Sequence, residues 1–457
     1  METDEKIIVG NIARQRAFFA TQQTKNIAFR LAQLRKLKQT VTRYQSKIED
    51  ALWTDLHKSP EEAFLTEISI VTSEINNHIA HLQSWAKSRK VPTPLHLQPS
   101  SSHIMYEPLG IVLIVAPWNY PFQLLFNPLI GAISAGCCSV LKPSASAPAT
   151  AKVMEDIIAQ CFEAHYVCLV QGAQETNSVL FAQGFDMLFF TGSPALGRVV
   201  MKAASETLTP VVLELGGKSP CIVDANADID SAAKRIAWGK LINAGQTCIA
   251  PDYLLAHESI KDELLSKIAL NIKQMYGDVI QQSRFYPRIV SKEALARLVG
   301  LLGQGTIHTG GQYDAEERFL APTIIDHVES DFLIMQEEIF GPILPVMTFG
   351  HIDEAIAYIN GNAKPLALYY FGRSKDASQV LARTTSGGAC INDVLMHIVN
   401  HRLPFGGVGN SGMGSYHGQE SFKAFSHKRA IVRSSTWIDV PFKYVPFKFF
   451  KQIKRWL

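Results

Sequence analysis

The sequence has little of what marks a secreted, polyanion-binding or membrane-spanning chain. Its seven cysteines (Cys137, Cys138, Cys161, Cys168, Cys221, Cys248 and Cys390) are odd in number and include no Cys-x-x-Cys pair. They cannot all be bridged, and they offer no sulfur spacing for zinc, which suits a reducing, cytoplasmic compartment. Charge of one sign is also missing: 44 Lys and Arg stand against 41 Asp and Glu, a net of +3. That balance gives no ground for nucleic-acid binding. The start, Met1-Glu-Thr-Asp-Glu-Lys6, is charged from the outset and does not read as a secretory signal. No internal repeat or low-complexity linker is visible. One stretch lacks charge altogether, from Glu107 to Lys142. Pro117, Pro121 and Pro128, with Asn119, Gln123 and Asn127, interrupt it as a membrane helix, so a buried strand, turn, helix and strand are expected instead.

What is present is ample core. A chain of 457 residues with 47% hydrophobic content should hold more than one domain. Short apolar runs, Leu109 to Val115, Cys138 to Leu141, Val167 to Val170 and Met187 to Phe190, read as strands of a parallel sheet. Between them, Met154, Ile157, Ile158 and Cys161 share one helical face. Ile27, Leu31, Leu34 and Val41 mark a helix in a mainly helical N-terminal region. A second α/β section begins near Gly217, with Cys221 to Asp224 as its first strand.

Two constellations carry chemistry. Cys248 follows Gly245-Gln-Thr247, thirty-four positions after Glu214 in Leu213-Glu-Leu-Gly-Gly-Lys-Ser219. A thiolate attacks carbonyl carbon well, and a carboxylate can then activate water against the thioester. Gly216 and Gly217 leave backbone room for a ligand. Upstream, the strand-like Asp186 to Phe190 runs into Thr191-Gly-Ser-Pro-Ala-Leu-Gly197. Ser193 is a natural N-cap and Pro194 a natural first helical residue, so free amides there would face a phosphate. Lys142 ends another apolar run and could reach a ribose or phosphate. Jointly these suggest a dinucleotide beside a nucleophilic cysteine.

With Pro117-Trp-Asn-Tyr-Pro121, Leu141-Lys-Pro-Ser144, Phe190-Thr-Gly-Ser193, Glu337-Glu-Ile-Phe-Gly-Pro342 and Pro404-Phe-Gly-Gly407 in order, the chain resembles the aldehyde dehydrogenase superfamily over nearly its whole length. Met396-His397 and Ser411-Gly-Met-Gly-Ser-Tyr-His-Gly418 resemble its class 3 branch, and the chain lacks the longer N-terminal extension of tetrameric relatives. The resemblance implies an α/β fold: a Rossmann-like cofactor domain (1–90 and 109–216), an α/β catalytic domain (217–409) and a small bridging β arm (91–108 and 425–436), followed by a tail (437–457). It implies oxidation of medium- or long-chain aliphatic or aromatic aldehydes to carboxylic acids with NAD or NADP, in a homodimer. Cys248 would attack the aldehyde, the Asn119 amide and the Cys248 N–H would hold the oxyanion, and Glu214 would be general base. The same resemblance places Lys142, Gly192, Ser193, Gly197, Gly216, Glu338 and Phe340 at the cofactor, and implies no metal. Two other readings stand beside it: a CoA-acylating relative, and a non-catalytic structural or interaction protein on the same fold.

Several features depart from the pattern or tempt a sharper reading. Ala145 stands where many relatives carry a glutamate against the adenosine ribose, which opens the site to the 2′-phosphate of NADP. Gly407-Val-Gly-Asn-Ser-Gly412 matches a dinucleotide fingerprint by letter but follows a Leu-Pro-Phe turn, so a structural loop is expected. Asp393, His397 and His401 are four apart, a metal spacing only if helical; a loop at the substrate entrance is expected, with Tyr120 and His397 at the mouth. Cys137 and Cys138 read as core thiols. From Pro441 to Leu457 the chain has five basic residues, six aromatics and no acid. It is expected to pack on its own protein or a dimer partner, or to touch an anionic membrane surface peripherally.

Overall fold

The computed structural model describes residues 2–439, 443–447 and 449–454, and they form four sheets, one of them only the antiparallel pair Tyr313–Asp314 and Phe319–Leu320. The first runs Gly412–Met413, Val211–Leu215, Met187–Gly192, Ile111–Val115, Cys138–Lys142, Val167–Leu169, parallel except for the first pair. Each expected strand is found, within two residues at either end. The run starting at Leu109 is trimmed to Ile111, because Gly110 adopts φ 144° and breaks the extended path. Strand order reverses about Ile111–Val115, whose neighbours are Cys138–Lys142 and Met187–Gly192. Ligands in doubly wound sheets bind outside the carboxyl ends of the strands at that reversal. Those ends here lead into Asn119, Lys142 and Ser193.

The second sheet has seven strands, ordered Thr306–Thr309, Thr323–Asp326, Ile343–Phe349, Tyr253–His257, Pro220–Val223, Ala367–Phe371, Gly388–Ile391. Only its first pair is antiparallel. The third is an antiparallel arm, Arg89–Val91, Ser101–Pro108 and Ser426–Arg433. The stretch 410–424, assigned to no unit from sequence, adds the edge strand Gly412–Met413 to the first sheet, opposite Glu214 and Leu213.

The uncharged stretch is strand, turn, helix and strand, as its prolines and amides require. Helix Pro121–Ala135 starts on Pro121 and ends at Gly136 in the left-handed region, φ 96°. A side chain at 136 would strike the Thr24 carbonyl and Arg30, so only glycine closes this helix. All fifteen helix residues are buried, with Phe122 and Phe126 stacked 4.5 Å apart. Burying each such ring contributes about 1.5–3 kcal/mol. No helix of the described residues is long and apolar enough to cross a membrane. The expected helical face, Met154, Ile157, Ile158 and Cys161, is the buried face of Pro148–Cys161. N-terminal helices Glu5–Ala20, Ile27–Leu56 and Ser69–Trp85 bury Leu34 and Val41 as the periodicity demands. Ile27 and Leu31 are only partly buried against the same core.

The tail differs from the expectation of packing on its own chain. Trp437 is 95% exposed and Val445 77%, and Tyr444, Phe447, Phe449 and Phe450 are exposed as well. Rings exposed to this extent gain little from burial on this chain. The expectations for residues 440–442, 448 and 455–457 fall outside the described residues.

Candidate active site

Helix Ile229–Leu241 ends at Ile242, and the chain then turns through three left-handed residues, Asn243 (φ 53°), Ala244 (φ 51°) and Gly245 (φ 76°). Left-handed backbone is costly for asparagine and more so for alanine. A side chain at 245 would also collide with the Gly341 carbonyl. The turn is held by Gln246, whose side chain donates to the Asn243 and Arg288 carbonyls, each at 3.0 Å, and accepts from the Val290 N–H at 2.9 Å. Strain fixed in this way presents Cys248, half-buried, in the wall of an apolar cavity of about 490 Å³. Burial first, and then the charges of Glu338 and Glu214, push the Cys248 thiol up to about 12.

Asn119 is buried after strand Ile111–Val115, and its Nδ2 donates to the Gln246 carbonyl at 3.0 Å. That bond uses one of the two amide hydrogens and sets the amide beside residue 248. The backbone carbonyl of Asn119 accepts from Asn243 Nδ2 at 2.8 Å, so the two turns grip each other. Glu214 lies on Val211–Leu215 and is buried, with neither carboxylate oxygen bonded. Burial alone raises its pKa well above the ordinary range. A buried carboxyl with no partner is costly and clusters at functional sites. The charges of Glu338 and Glu214 both act on the Cys248 thiol. Thus the structure brings Cys248, Asn119, Glu214 and Glu338 into one place.

The expected cofactor edge has the parts of a phosphate cradle. Ser193 caps helix Pro194–Ser205 with its hydroxyl accepting from Leu196 N–H at 3.4 Å, and Pro194 is the first helical residue. Gly197 abuts Leu215, where any side chain would meet its methyls at 2.7 Å; this close packing aims the helix at the strand ends. Gly192 lies against the Phe190 ring, 2.6 Å from where a Cβ would stand, and Gly216 lies directly on the Glu338 carboxylate. Burial pushes Glu338 up to about 8, against the Gly217 N–H that it accepts. Phe340, at φ 51°, meets Trp118 edge to face at 5.4 Å. Lys142 is buried, donates to the Pro143 carbonyl at 2.9 Å, and is lowered by burial to about 8. Thr191 Oγ1 is buried without a partner between these groups. Free helix amides, an orphaned hydroxyl, a buried carboxylate and a lysine fit the donors and acceptors of a dinucleotide.

Other sequence readings resolve here. The Gly407 to Gly412 run is a loop leading to the edge strand, and Asn410 accepts from Arg198 Nη2 at 2.8 Å. It borders a groove of about 260 Å³ along Pro194 and Gly197. His397 is not at the cavity mouth. Its neighbours Leu395, Met396, Ile398 and Val399 line the cavity with Tyr120, whereas His397 turns inward to Cys390 Sγ at 3.3 Å and stacks on Phe405. Burial holds it at about 4, a neutral ring. His401 pairs with Glu74 at 2.7 Å, and no metal-holding cluster exists among the described residues. Met396–Val399 is a short 3-10 turn, so a four-residue spacing aligns nothing. Cys137 and Cys138 are core thiols, fully buried. Sequence reasoning missed Lys58, Glu62 and Glu67, whose side chains reach the Asn119 and Asn243 turns; a charged stretch of an N-terminal helix gives no sign of what it touches.

Comparison with known proteins agrees with this geometry. The aldehyde dehydrogenase family model matches residues 3–431. A 4,4'-diaponeurosporen-aldehyde dehydrogenase of Staphylococcus aureus is 49% identical over 96% of both chains. A rat dimeric NADP-preferring aldehyde dehydrogenase is 41% identical over 94% of this chain and 95% of its own, and human aldehyde dehydrogenase family 3 member B1 is 44% identical over 94% and 92%. Among solved structures, the substrate-bound state of Staphylococcus aureus AldH superposes with a TM-score of 0.95 at 48% identity, covering 98% of this chain and 99% of that one. The chain therefore belongs to the aldehyde dehydrogenase family, in its class 3 branch, and is an NAD(P)-dependent aldehyde dehydrogenase.

Proposed function

We propose that the enzyme oxidises apolar aldehydes, medium- or long-chain aliphatic or aromatic, to carboxylic acids through a thioester on Cys248. The carrying observation is Glu214, buried, unbonded and near enough for its charge to act on the cysteine whose turn also holds the Asn119 amide. The Cys248 sulfur, once deprotonated, bonds to the aldehyde carbon. The free Asn119 N–H and the Cys248 backbone N–H stabilise the resulting oxyanion. NAD or NADP, held by the residues around Ser193, Lys142 and Glu338, would supply the hydride acceptor, and loss of the hydride would leave an acyl group on the Cys248 sulfur. Glu214 then takes a proton from water, the hydroxide adds to the thioester carbon, and the carbon–sulfur bond breaks to release the acid. Its raised pKa makes Glu214 a stronger base than an ordinary carboxylate once it ionises.

Substrate class follows from the cavity wall. Leu124, Trp238, Met275, Ile398 and Phe405 give it apolar surface, and its only charged lining residues among those described are Glu61 and Glu62. No Lys or Arg lines it to receive a carboxylate, which disfavours anionic aldehydes. At the adenosine end, exposed Ala145 adds no negative charge beside Lys142, which supports use of NADP as well as NAD. The arm leaves Arg89–Val91 and Ser426–Arg433 as open edges, which supports a homodimer. Peripheral contact with an anionic membrane surface is supported by the exposed aromatic and basic tail, and a reducing, cytoplasmic setting by the seven cysteines that cannot all pair. Sedimentation with anionic vesicles, compared with a chain ending at residue 436, tests that contact.

The direct experiment is reduced-nicotinamide absorbance with a panel of aldehydes ordered by chain length, each cofactor, and CoA present or absent. Oxidation independent of CoA, with kcat/KM rising with chain length and lost on adding a terminal carboxylate, is the expected pattern. Strict dependence on CoA, or preference for the anionic aldehydes, contradicts it.

A further inference from the structure

Between the long helix Ile27–Leu56 and helix Ser69–Trp85 lies the segment His57 to Ile68, which begins at left-handed His57 and ends in a π-helical turn, Phe64–Ile68. Three of its charged side chains reach the two turns that build the active site. Lys58 and Glu67 are fully buried and pair at 2.6 Å. The second Glu67 oxygen accepts from the Phe122 and Gln123 N–H groups at 2.9 and 3.2 Å, in the first turn of helix Pro121–Ala135. Lys58 Nζ also donates to the Asn119 carbonyl at 3.3 Å and lies 4.3 Å over the Tyr120 ring. Glu62 accepts from the Asn243 N–H at 2.7 Å, at the first of the left-handed residues before Cys248. Asn243 in turn donates to the carbonyls of Asn119 and Gln246.

A buried ion pair is a poor source of stability, because desolvation offsets its Coulomb attraction. Its worth is better sought in what it fixes. The Asn119 carbonyl receives two donors, Lys58 and Asn243. The costly left-handed conformation at Asn243 has its N–H held by a carboxylate from outside the turn. We propose that Lys58, Glu62 and Glu67 are positioning residues, a brace from the N-terminal helical region that sets the Asn119 amide against the Asn243-to-Cys248 turn and so assembles the oxyanion site. None of the three needs to touch the reacting atoms. They act through backbone groups of residues 119, 122, 123 and 243. The inference rests on the oxyanion role proposed for Asn119.

Two substitutions separate positioning from bulk stability. Glu62→Leu removes the acceptor, whereas Glu62→Gln keeps an oxygen for the Asn243 N–H. A displacement near 1 Å at a catalytic group costs up to about 10²-fold in rate, so Glu62→Leu is expected to lower kcat roughly 10- to 100-fold. Glu62→Gln should remain within about threefold of wild type, with cofactor Kd unchanged in both. Lys58→Met combined with Glu67→Leu removes both buried charges together, and should also lower kcat in a folded protein. Asn119→Ala is then made in the wild-type and Glu62→Leu backgrounds. If the brace serves the oxyanion site, Asn119→Ala costs far less in the second background than in the first. Full kcat in a folded Glu62→Leu protein, equal damage from Gln and Leu, or multiplicative penalties with Asn119→Ala would each overturn the brace while leaving the role of Asn119 intact. An Asn119→Ala change without cost in wild type would overturn both.

Discussion

The side-chain amide of Asn119 donates to the Gln246 carbonyl at 3.0 Å, across a sequence separation of 127 residues. One hydrogen bond therefore joins the turn after strand Ile111–Val115 to the turn before Cys248. With that hydrogen engaged, the other amide hydrogen has a fixed direction, as a preorganised donor requires.

Asn119→Ala should lower kcat by roughly 10²–10³ with little change in cofactor affinity, the usual cost of one oxyanion donor. Steady-state kinetics beside cofactor titration checks this. A folded variant with the wild-type rate would reduce Asn119 to a turn residue.

Burial and the charges of Glu338 and Glu214 hold the Cys248 thiol up at about 12. In the free enzyme its alkylation by iodoacetamide should keep rising with pH through the alkaline range, without a plateau near neutrality. Removing one negative neighbour by Glu338→Gln lowers the thiol pKa and should speed labelling at fixed pH. Peptide mass spectrometry distinguishes Cys248 from Cys390, the other cysteine that is not fully buried. A plateau near neutral pH, or no change with Glu338→Gln, would show that these charges do not act on the thiol.

Glu214 should also appear in stability. Its folded pKa is raised, so the folded state holds the proton more tightly than the unfolded chain. The stabilisation is complete below the unfolded carboxylate range and is lost as pH rises toward the folded value. Glu214→Gln lacks this loss. The variant is expected to melt higher than wild type in neutral and alkaline buffer, with the gap shrinking toward acid pH. Thermal melts across pH check it, and a constant gap would contradict the raised pKa.

At the adenosine end, Ala145→Glu should weaken NADP use far more than NAD use. Like charges about 4 Å apart repel by roughly 4 kcal/mol at an effective dielectric near 20, an upper guide because solvent relieves part. A shift of about one to two decades in the NADP-to-NAD ratio of kcat/KM is expected. Lys142, lowered to about 8 by burial, loses its charge as pH rises through that value. The wild-type ratio should therefore fall above it. An unchanged ratio in either experiment would move the 2′-phosphate elsewhere.

Much of this was legible in the sequence because the informative residues are short-range. Strands such as Met187–Gly192 are continuous apolar runs, and the Ser193-Pro194 cap is read from two adjacent letters. The motifs around Cys248 and Glu214 name their chemistry by composition. The brace was not legible: Lys58 meets Asn119 over 61 residues, and Glu62 meets Asn243 over 181. Nothing local to a charged helical stretch tells buried ends from solvated ones. His397 misled for the same reason, since adjacent residues of a 3-10 turn point about 120° apart and only its neighbours reach the cavity.

Covalent thiol chemistry completed by a carboxylate base is tested most directly on Glu214→Gln by intact-protein mass spectrometry, with reduced-cofactor absorbance followed in the same mixing experiment. After mixing with aldehyde and NAD, one equivalent of reduced cofactor should form in a burst, followed by slow turnover. An acyl adduct should persist on the protein and vanish in the additional Cys248→Ala background. Normal steady turnover without an adduct, or an adduct that survives Cys248→Ala, would contradict it.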